Sequence, residues 1–291
     1  MTTTIKNLCV IGTGLIGGSY CLALKRGNLC EHIIGAGRSE QTLKNAKQLG
    51  IIDEYDLDIA NAVSRSDLVF VSVPLGAMEP VFEQIEAGIQ HSGNRRTVIT
   101  DAGSSKLQVQ KLAERIFENS KMFVPGHPIA GTEKSGPTAA FAELYDDRRV
   151  ILTPGDNTDA RAFSLVTELW QQIGAEVETM DAEHHDKVLA ATSHLPHILA
   201  FALVDCMHNM EDIEEIFQFA AGGFRDFSRI ASSDPVMWRD ICLNNREQIL
   251  EMMQRYRTEL DMLYNALDAG DGDKLLDVFS HAKQIRDNFV H

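Results

Sequence analysis

Basic residues are scarce in this chain: 27 Lys and Arg stand against 42 Asp and Glu, a formal net charge of −15 at pH 7. That imbalance argues against nucleic acid and anionic membranes as partners, because both are bound through clustered Lys and Arg. Cysteine is scarce too. Cys9, Cys21, Cys30, Cys206 and Cys242 form no C-x-x-C pair and no disulfide-like ladder, so they are expected as small buried apolar residues in a reducing, cytoplasmic setting. No basic-plus-apolar leader opens the chain, and no apolar run is long enough to span a bilayer. Internal repeats and low-complexity segments are absent. With eight prolines and 44% apolar residues in 291, the composition suits a compact chain of one or two domains.

What is present alternates. Short β-branched runs at 7–12, 32–37, 68–74, 97–103, 123–128 and 149–154 are separated mostly by helical patterns such as "LIGGSYCLALKRG" and "AMEPVFEQIEAGI". Near-continuous apolar strands alternating with helices predict a mostly parallel sheet covered on both faces, a doubly wound α/β domain. The strand signal stops after "EVETM" (176–180), and from Asp181 the pattern is helical. Two domains are therefore expected: 1–180, of Rossmann type, and 181–291, all helical. Within 244–269 the apolar residues Ile249, Met253, Tyr256, Leu260, Leu263 and Leu267 step by four and three. Such a stripe needs a partner helix, from the same chain or from a second copy.

The strand "LCVIG" runs into "GTGLIGGS", so Gly12, Gly14 and Gly17 form G-x-G-x-x-G between a strand and a helix. In that context the glycines mark a dinucleotide site: one for the tight turn, one for backbone approach to the pyrophosphate, one for helix–strand packing. The helix N-terminus then offers free N–H groups to the phosphates. At the end of the second strand, where an NAD site normally carries an acid, stand Gly37, Arg38 and Ser39. A guanidinium with a hydroxyl suits a 2′-phosphate, so NADP is favoured. Ser39 can equally cap the next helix, and Glu40 keeps NAD open.

Four further stretches lack an ordinary packing explanation. "TDAGSSK" (100–106) ends a strand with glycine and two hydroxyls. "GHPIAGTEKSG" (126–136) has no helical or strand period. "SHLPH" (193–197) sets two histidines around a proline inside a helical pattern, where proline is unfavourable. "GGFRDFSRIASSDPVMWRD" (222–240) crowds charges and a tryptophan into one region. A metal reading of His194 and His197 with His184 or His185 has no Cys or carboxylate placed to complete it, so no metal is expected.

Together with "GxGLIGGS", these stretches resemble the prephenate/arogenate dehydrogenase family of tyrosine biosynthesis, over a span from about Leu8 to the last helix. The resemblance implies the minimal two-domain form, with a helical dimerisation domain and a homodimer. It implies oxidative decarboxylation of prephenate, with arogenate as the close alternative. Hydride leaves the ring carbinol carbon for a nicotinamide, the ring carboxylate departs as CO2, and the ring becomes a phenol. On this resemblance His127 accepts the ring hydroxyl's proton, as neutral imidazole can near pH 7, and Ser104 touches both His127 and the nicotinamide region. A cap on a helix beginning near Ser105 is the plainer role for Ser104. Arg229 grips a substrate carboxylate, and His197 reaches the substrate's side-chain end, where it can hydrogen-bond a keto oxygen. Near them come His194, Gly222, and the charged residues Glu133, Arg225 and Asp226 at the mouth. Trp238, from the dimerising domain, closes over the neighbouring subunit's site, and Leu15, Ile16, Pro74 and Gly103 join the cofactor contacts. Two other readings stay open. A different two-domain dehydrogenase would need a catalytic lysine, for which Lys187 is the nearest candidate. A dinucleotide sensor would have no use for Ser104, His127 and Arg229 together.

Overall fold

The structure, a computed structural model, describes residues 3–132, 134–208, 210 and 218–289. Its main sheet has six parallel strands: β1 (Ile5–Ile11), β2 (Cys30–Ala36), β3 (Glu54–Asp56), β4 (Leu68–Val71), β5 (Val98–Asp101) and β6 (Phe123–Val124). They lie in the order β3-β2-β1-β4-β5-β6, so the strand order reverses between β1 and β4, where doubly wound folds open a ligand crevice. Helices α1 (Leu15–Arg26), α2 (Glu40–Gln48), α3 (Ile59–Ser64), α4 (Met78–Ser92) and α5 (Leu107–Ile116) connect them.

Alternation along the strands sends side chains to two apolar layers. Leu8, Val10, Leu68 and Phe70 belong to one layer, while Cys9, Ile11, Val69 and Val71 belong to the other. Tyr20 stacks on Phe70 at 4.2 Å and lies 4.7 Å from Trp170 in the first; Phe82 lies 4.8 Å from Phe117 in the second. Aromatic pairs of this kind add about 0.5–1.5 kcal/mol each beyond the area they bury.

The run 123–128, expected as one strand, is two. Pro125 has no N–H to extend the ladder, and the chain leaves the main sheet there. β7 (Gly126–Pro128) starts a second sheet, antiparallel to β8 (Arg149–Leu152), which is parallel to β9 (Glu176–Thr179). Helix α6 (Ala160–Gln172) precedes β9 and supplies Trp170 to the first apolar layer.

From Ala182 onward every described element is helical: α7 (Ala182–Leu189), a π-helical turn at Ala190–His194, α8 (Leu195–His208), α9 (Gly222–Ser228), a 3-10 turn at Arg229–Ser232, and α10 (Pro235–Asn244). All of this falls with the sheets in one compact unit, Met1–Arg246. The helical run Ala182–His208 has an 18-residue window of mean hydropathy 1.4. By length and composition alone it could cross a membrane, contrary to the expectation from the sequence. Its His185, Asp186 and His194, however, hydrogen-bond to His127 of β7, to the Lys106 N–H at the start of α5 and to Asn245 just after α10. The second unit, Glu247–His291, holds most of α11 (Arg246–Asp268) and α12 (Gly272–Phe289). Gly270, in the left-handed region at φ +66°, makes the reversal between them. All five cysteines are free; Cys9 and Cys21 are buried as expected, but Cys206 is exposed.

Candidate active site

The glycine loop follows β1 at the switch point. Gly12 has φ +96°, and a Cβ there would meet the Ser72 carbonyl oxygen at 2.2 Å. A Cβ on Gly17 would lie 2.0 Å from the Gly12 carbonyl oxygen. Gly14 differs, since nothing lies within 4 Å of its Cβ position. It is the N-cap of α1 and makes no side-chain cap bond, and the first turn of α1 carries no acid. The first N–H groups of α1 are thus open to an anion in the space Gly14 leaves, which fits the pyrophosphate of a dinucleotide. Leu15 is buried, the Ile16 carbonyl accepts from Tyr145 Oη at 2.6 Å, and Ser19 Oγ accepts from the Phe141 N–H at 3.1 Å.

At the tip of β2, Arg38 is exposed and has no hydrogen-bond or ion-pair partner among the described residues. Ser39 caps α2, its Oγ accepting from the Thr42 N–H at 3.3 Å. Glu40 pairs with Lys44 at 3.0 Å, which holds its carboxyl below its ordinary value. Pro74, after β4, is exposed. Gly103, after β5, donates to Asp101 Oδ2 at 2.8 Å, and a Cβ there would crowd the same carboxylate.

His127 sits in β7, half-buried. Its Nδ1 is 2.9 Å from Nε2 of the buried His185, and His185 Nδ1 is 2.8 Å from Asp186 Oδ1. Among the described residues Nε2 of His127 has no partner and is not one of the buried orphan atoms. It is the nitrogen open to a ligand. Burial first, then His185, Lys106 and His194, hold the ring well below the ordinary histidine pKa, so it is neutral at pH 7 and can accept a proton.

The strand carrying His127 is pinned by a buried ion pair. Lys106 Nζ donates to Asp101 Oδ2 at 2.5 Å and to the Gly126 carbonyl at 2.6 Å, and Asp101 Oδ1 accepts the Gly126 N–H at 3.1 Å. Lys106 and Asp101 are fully buried. Ser104 is half-buried beside them, with no hydrogen bond to His127 among the described residues. It does not cap a helix either. Helix α5 begins at Leu107, and its first N–H groups are taken by Asp186, from Lys106 at 2.7 Å and Leu107 at 3.0 Å. Lys106, Asp186 and Asn245 carry no assigned role in the sequence reading, and His185 appears there only as a metal candidate; the one local signal is the triplet "HHD" at 184–186 in α7.

On the helical side the π turn explains "SHLPH". Leu195 N–H bonds to the Ala190 carbonyl, five residues back, and this widened turn leads into Pro196, which has no N–H to donate. His194 is 1% exposed and accepts from Asn245 Nδ2 at 3.0 Å; it is a buried strut beside the Ser104 backbone. His197 stacks on Trp238 at 3.8 Å, and its Nδ1 faces the Ser193 carbonyl at 2.9 Å. A carbonyl only accepts, so the proton sits on Nδ1 and Nε2 is bare. Burial lowers its pKa, and Arg229 lowers it further. A neutral His197 therefore accepts at Nε2, and it donates to a keto oxygen only when protonated. Asp240 fastens α10 to the turn after β4, accepting the Gly76 N–H at 3.1 Å. Arg229, Gly222, Arg225 and Asp226 are exposed. Glu133 lies outside the described residues. Among the described residues no His, Cys, Asp or Glu group is arranged to hold a metal, and both nitrogens of His185 are engaged by hydrogen bonds.

A glycine loop at the switch point of a doubly wound sheet, with a neutral imidazole acceptor at a strand beyond it, defines a dehydrogenase using a nicotinamide dinucleotide. Two family descriptions match: "prephenate dehydrogenase, nucleotide-binding domain" over residues 20–179, and "prephenate dehydrogenase, dimerization domain" over 181–281. The cyclohexadienyl dehydrogenase of Zymomonas mobilis is 38% identical, covering 98% of this chain and 96% of that one. The prephenate dehydrogenase of Bacillus subtilis is 37% identical, over 96% of this chain and 75% of its own length. The solved Aquifex aeolicus prephenate dehydrogenase, in complex with hydroxyphenyl propionate and NAD+, superposes with a TM-score of 0.91 at 35% identity and 99% coverage of both chains. This chain belongs to the prephenate dehydrogenase family.

Proposed function

We propose that the chain oxidatively decarboxylates prephenate to 4-hydroxyphenylpyruvate, with His127 as the proton acceptor. The observation that carries this reading is the open Nε2 of a neutral His127. A bound nicotinamide supplies the hydride acceptor; Gly12, Gly14 and Gly17 with the start of α1 hold its pyrophosphate. His127 takes the ring hydroxyl's proton, and returns it to the same oxygen when loss of CO2 leaves a phenolate. Ser104 stands beside the nicotinamide, Arg229 takes a substrate carboxylate, and His197 on Trp238 meets the side-chain end. His194 acts from behind, Gly222 lies along the substrate, and Arg225 and Asp226 form the mouth.

The bare Nε2 of His197 favours a second reading beside the first. It accepts from the ammonium of arogenate, so the enzyme uses both substrates. Steady-state assays of prephenate and arogenate, each with NAD and NADP, test both readings; no turnover of either substrate would refute the function. His127→Asn should lower kcat by about 10²–10⁴-fold and spare dinucleotide binding, whereas near-normal turnover removes His127 from the chemistry.

NADP is the favoured cofactor because Arg38 is unpaired and Glu40 is engaged by Lys44. Arg38→Asp should weaken NADP by about 1–3 kcal/mol and NAD far less; equal effects on the two would make Arg38 a bystander. The division of labour follows residues 1–180 and 181–291. The second part forms a homodimer, a reading supported by uncovered apolar side chains such as Leu203, Leu260 and Leu267. Five free thiols support a cytoplasmic setting.

A further inference from the structure

Asp186 is 1% exposed, and three donors surround its carboxylate: the N–H groups of Lys106 and Leu107 and the His185 ring. Backbone N–H groups only donate, so Oδ1 and Oδ2 act as acceptors. His185 Nδ1, 2.8 Å from Oδ1, must then be the protonated nitrogen. A neutral ring protonated at Nδ1 is bare at Nε2. Nε2 of His185 is the atom 2.9 Å from His127 Nδ1, so that contact needs its proton on His127 Nδ1. The tautomer of His127 is thereby fixed from a carboxylate two side chains away.

We propose that His185 and Asp186 are positioning residues: they hold the proton of His127 on Nδ1 and so keep its Nε2 free to accept the substrate's hydroxyl proton. The proposal rests on the reading of His127 as that acceptor and extends it to residues that touch neither substrate nor cofactor. When Nε2 takes the proton, the imidazolium keeps its Nδ1–H on His185, and the negative Asp186 lies at the end of the chain to offset the new charge. The other titratable groups facing these rings are Lys106, Asp101 and His194. Lys106 is already paired with Asp101, and burial brings the pKa of His194 down to about 4. None of them offers His127 Nδ1 an alternative acceptor. The same carboxylate also caps α5, which ties the orientation of the base to the Ser104–Lys106 segment.

The test combines spectroscopy with a pair of variants. In wild-type protein labelled with 15N-histidine, His127 should show a protonated Nδ1 and a bare Nε2 at pH 7. His185→Phe keeps the ring volume but removes the acceptor. His185→Gln puts an amide oxygen near the position of Nε2 and retains it. We expect kcat to fall about 10- to 1,000-fold in the Phe variant, and clearly less in the Gln variant. KM and dinucleotide Kd should stay within about twofold in both, since neither ligand is touched. A wild-type His127 protonated on Nε2 would overturn the proposal whether or not the variants fold. So would Phe and Gln variants with equal, near-normal kcat while His127→Asn remains impaired. If His127→Asn itself turns over normally, the underlying reading of the base fails instead.

Discussion

Gly12 and Gly14 stand two residues apart in one loop and answer to different constraints. Gly12 is fixed by the chain, with its positive φ and the Ser72 carbonyl 2.2 Å from any Cβ; Gly14 has φ −76° and open space. Gly12→Ala should therefore cost about 2–5 kcal/mol of stability, from backbone strain and overpacking together. Gly14→Ala should leave stability within about 0.5 kcal/mol and weaken dinucleotide binding, because its methyl enters the space left for the pyrophosphate. Urea unfolding and calorimetric titration separate the two. A Gly14→Ala protein that binds NAD and NADP normally would remove the loop from the cofactor site. Such glycines are legible in the sequence because their spacing and flanking elements are local, and His127 stood out for a similar local reason. The roles of Lys106, His185 and Asp186 are not legible locally, since the contacts that tie them to Gly126, His127 and Lys106 span 20, 58 and 80 residues.

Helix starts make the same division at the next scale. Ser39, Asp58, Asp159, Asp181 and Asp234 each cap the helix that follows them, so those beginnings can be read from a polar residue before a periodic run. Helix α5 has Lys106 at its N-cap and no cap of its own. Its cap arrives from Asp186, so the helix start that "TDAGSSK" suggests for Ser104 is capped from 80 residues away instead. Asp186→Ala should cost about 2–4 kcal/mol, since two helix N–H groups and the buried His185 lose their acceptor at once. A loss under about 0.5 kcal/mol in urea unfolding would show that α5 holds without it. The strands divide likewise. β1, β2, β4 and β5 are apolar runs that could be recognised. β3, at three residues, is too short to show a period, and the break at Pro125 becomes visible only when Gly126 is seen bonding to Asp101 and Lys106.

For the whole molecule, two electrostatic effects oppose each other as the medium is acidified. The net charge of −15 at pH 7 shrinks toward the pI near 5.0, which relieves self-repulsion and favours the folded state. The buried histidines act the other way. Burial pulls the pKa of His194 down to about 4 and lowers those of His127 and His185, whereas in the unfolded chain all three titrate near 6.5. Between these values the unfolded chain binds more protons than the folded one. The stability from neutral, buried rings is thus fully present above about pH 6.5 and is lost as pH falls toward 4. For His194 alone the span corresponds to roughly 3 kcal/mol, while relief of a dispersed surface repulsion is screened by salt. The histidines should win. Urea unfolding at about 0.15 M salt is expected to show stability falling steadily from pH 7 to 4.5. In His194→Asn the side-chain oxygen can still accept from Asn245 but cannot be protonated there, so the slope should flatten by about one proton. If stability instead rises toward pH 5, the charge of the whole chain outweighs its buried rings; if His194→Asn leaves the slope unchanged, the neutral state assigned to His194 is wrong.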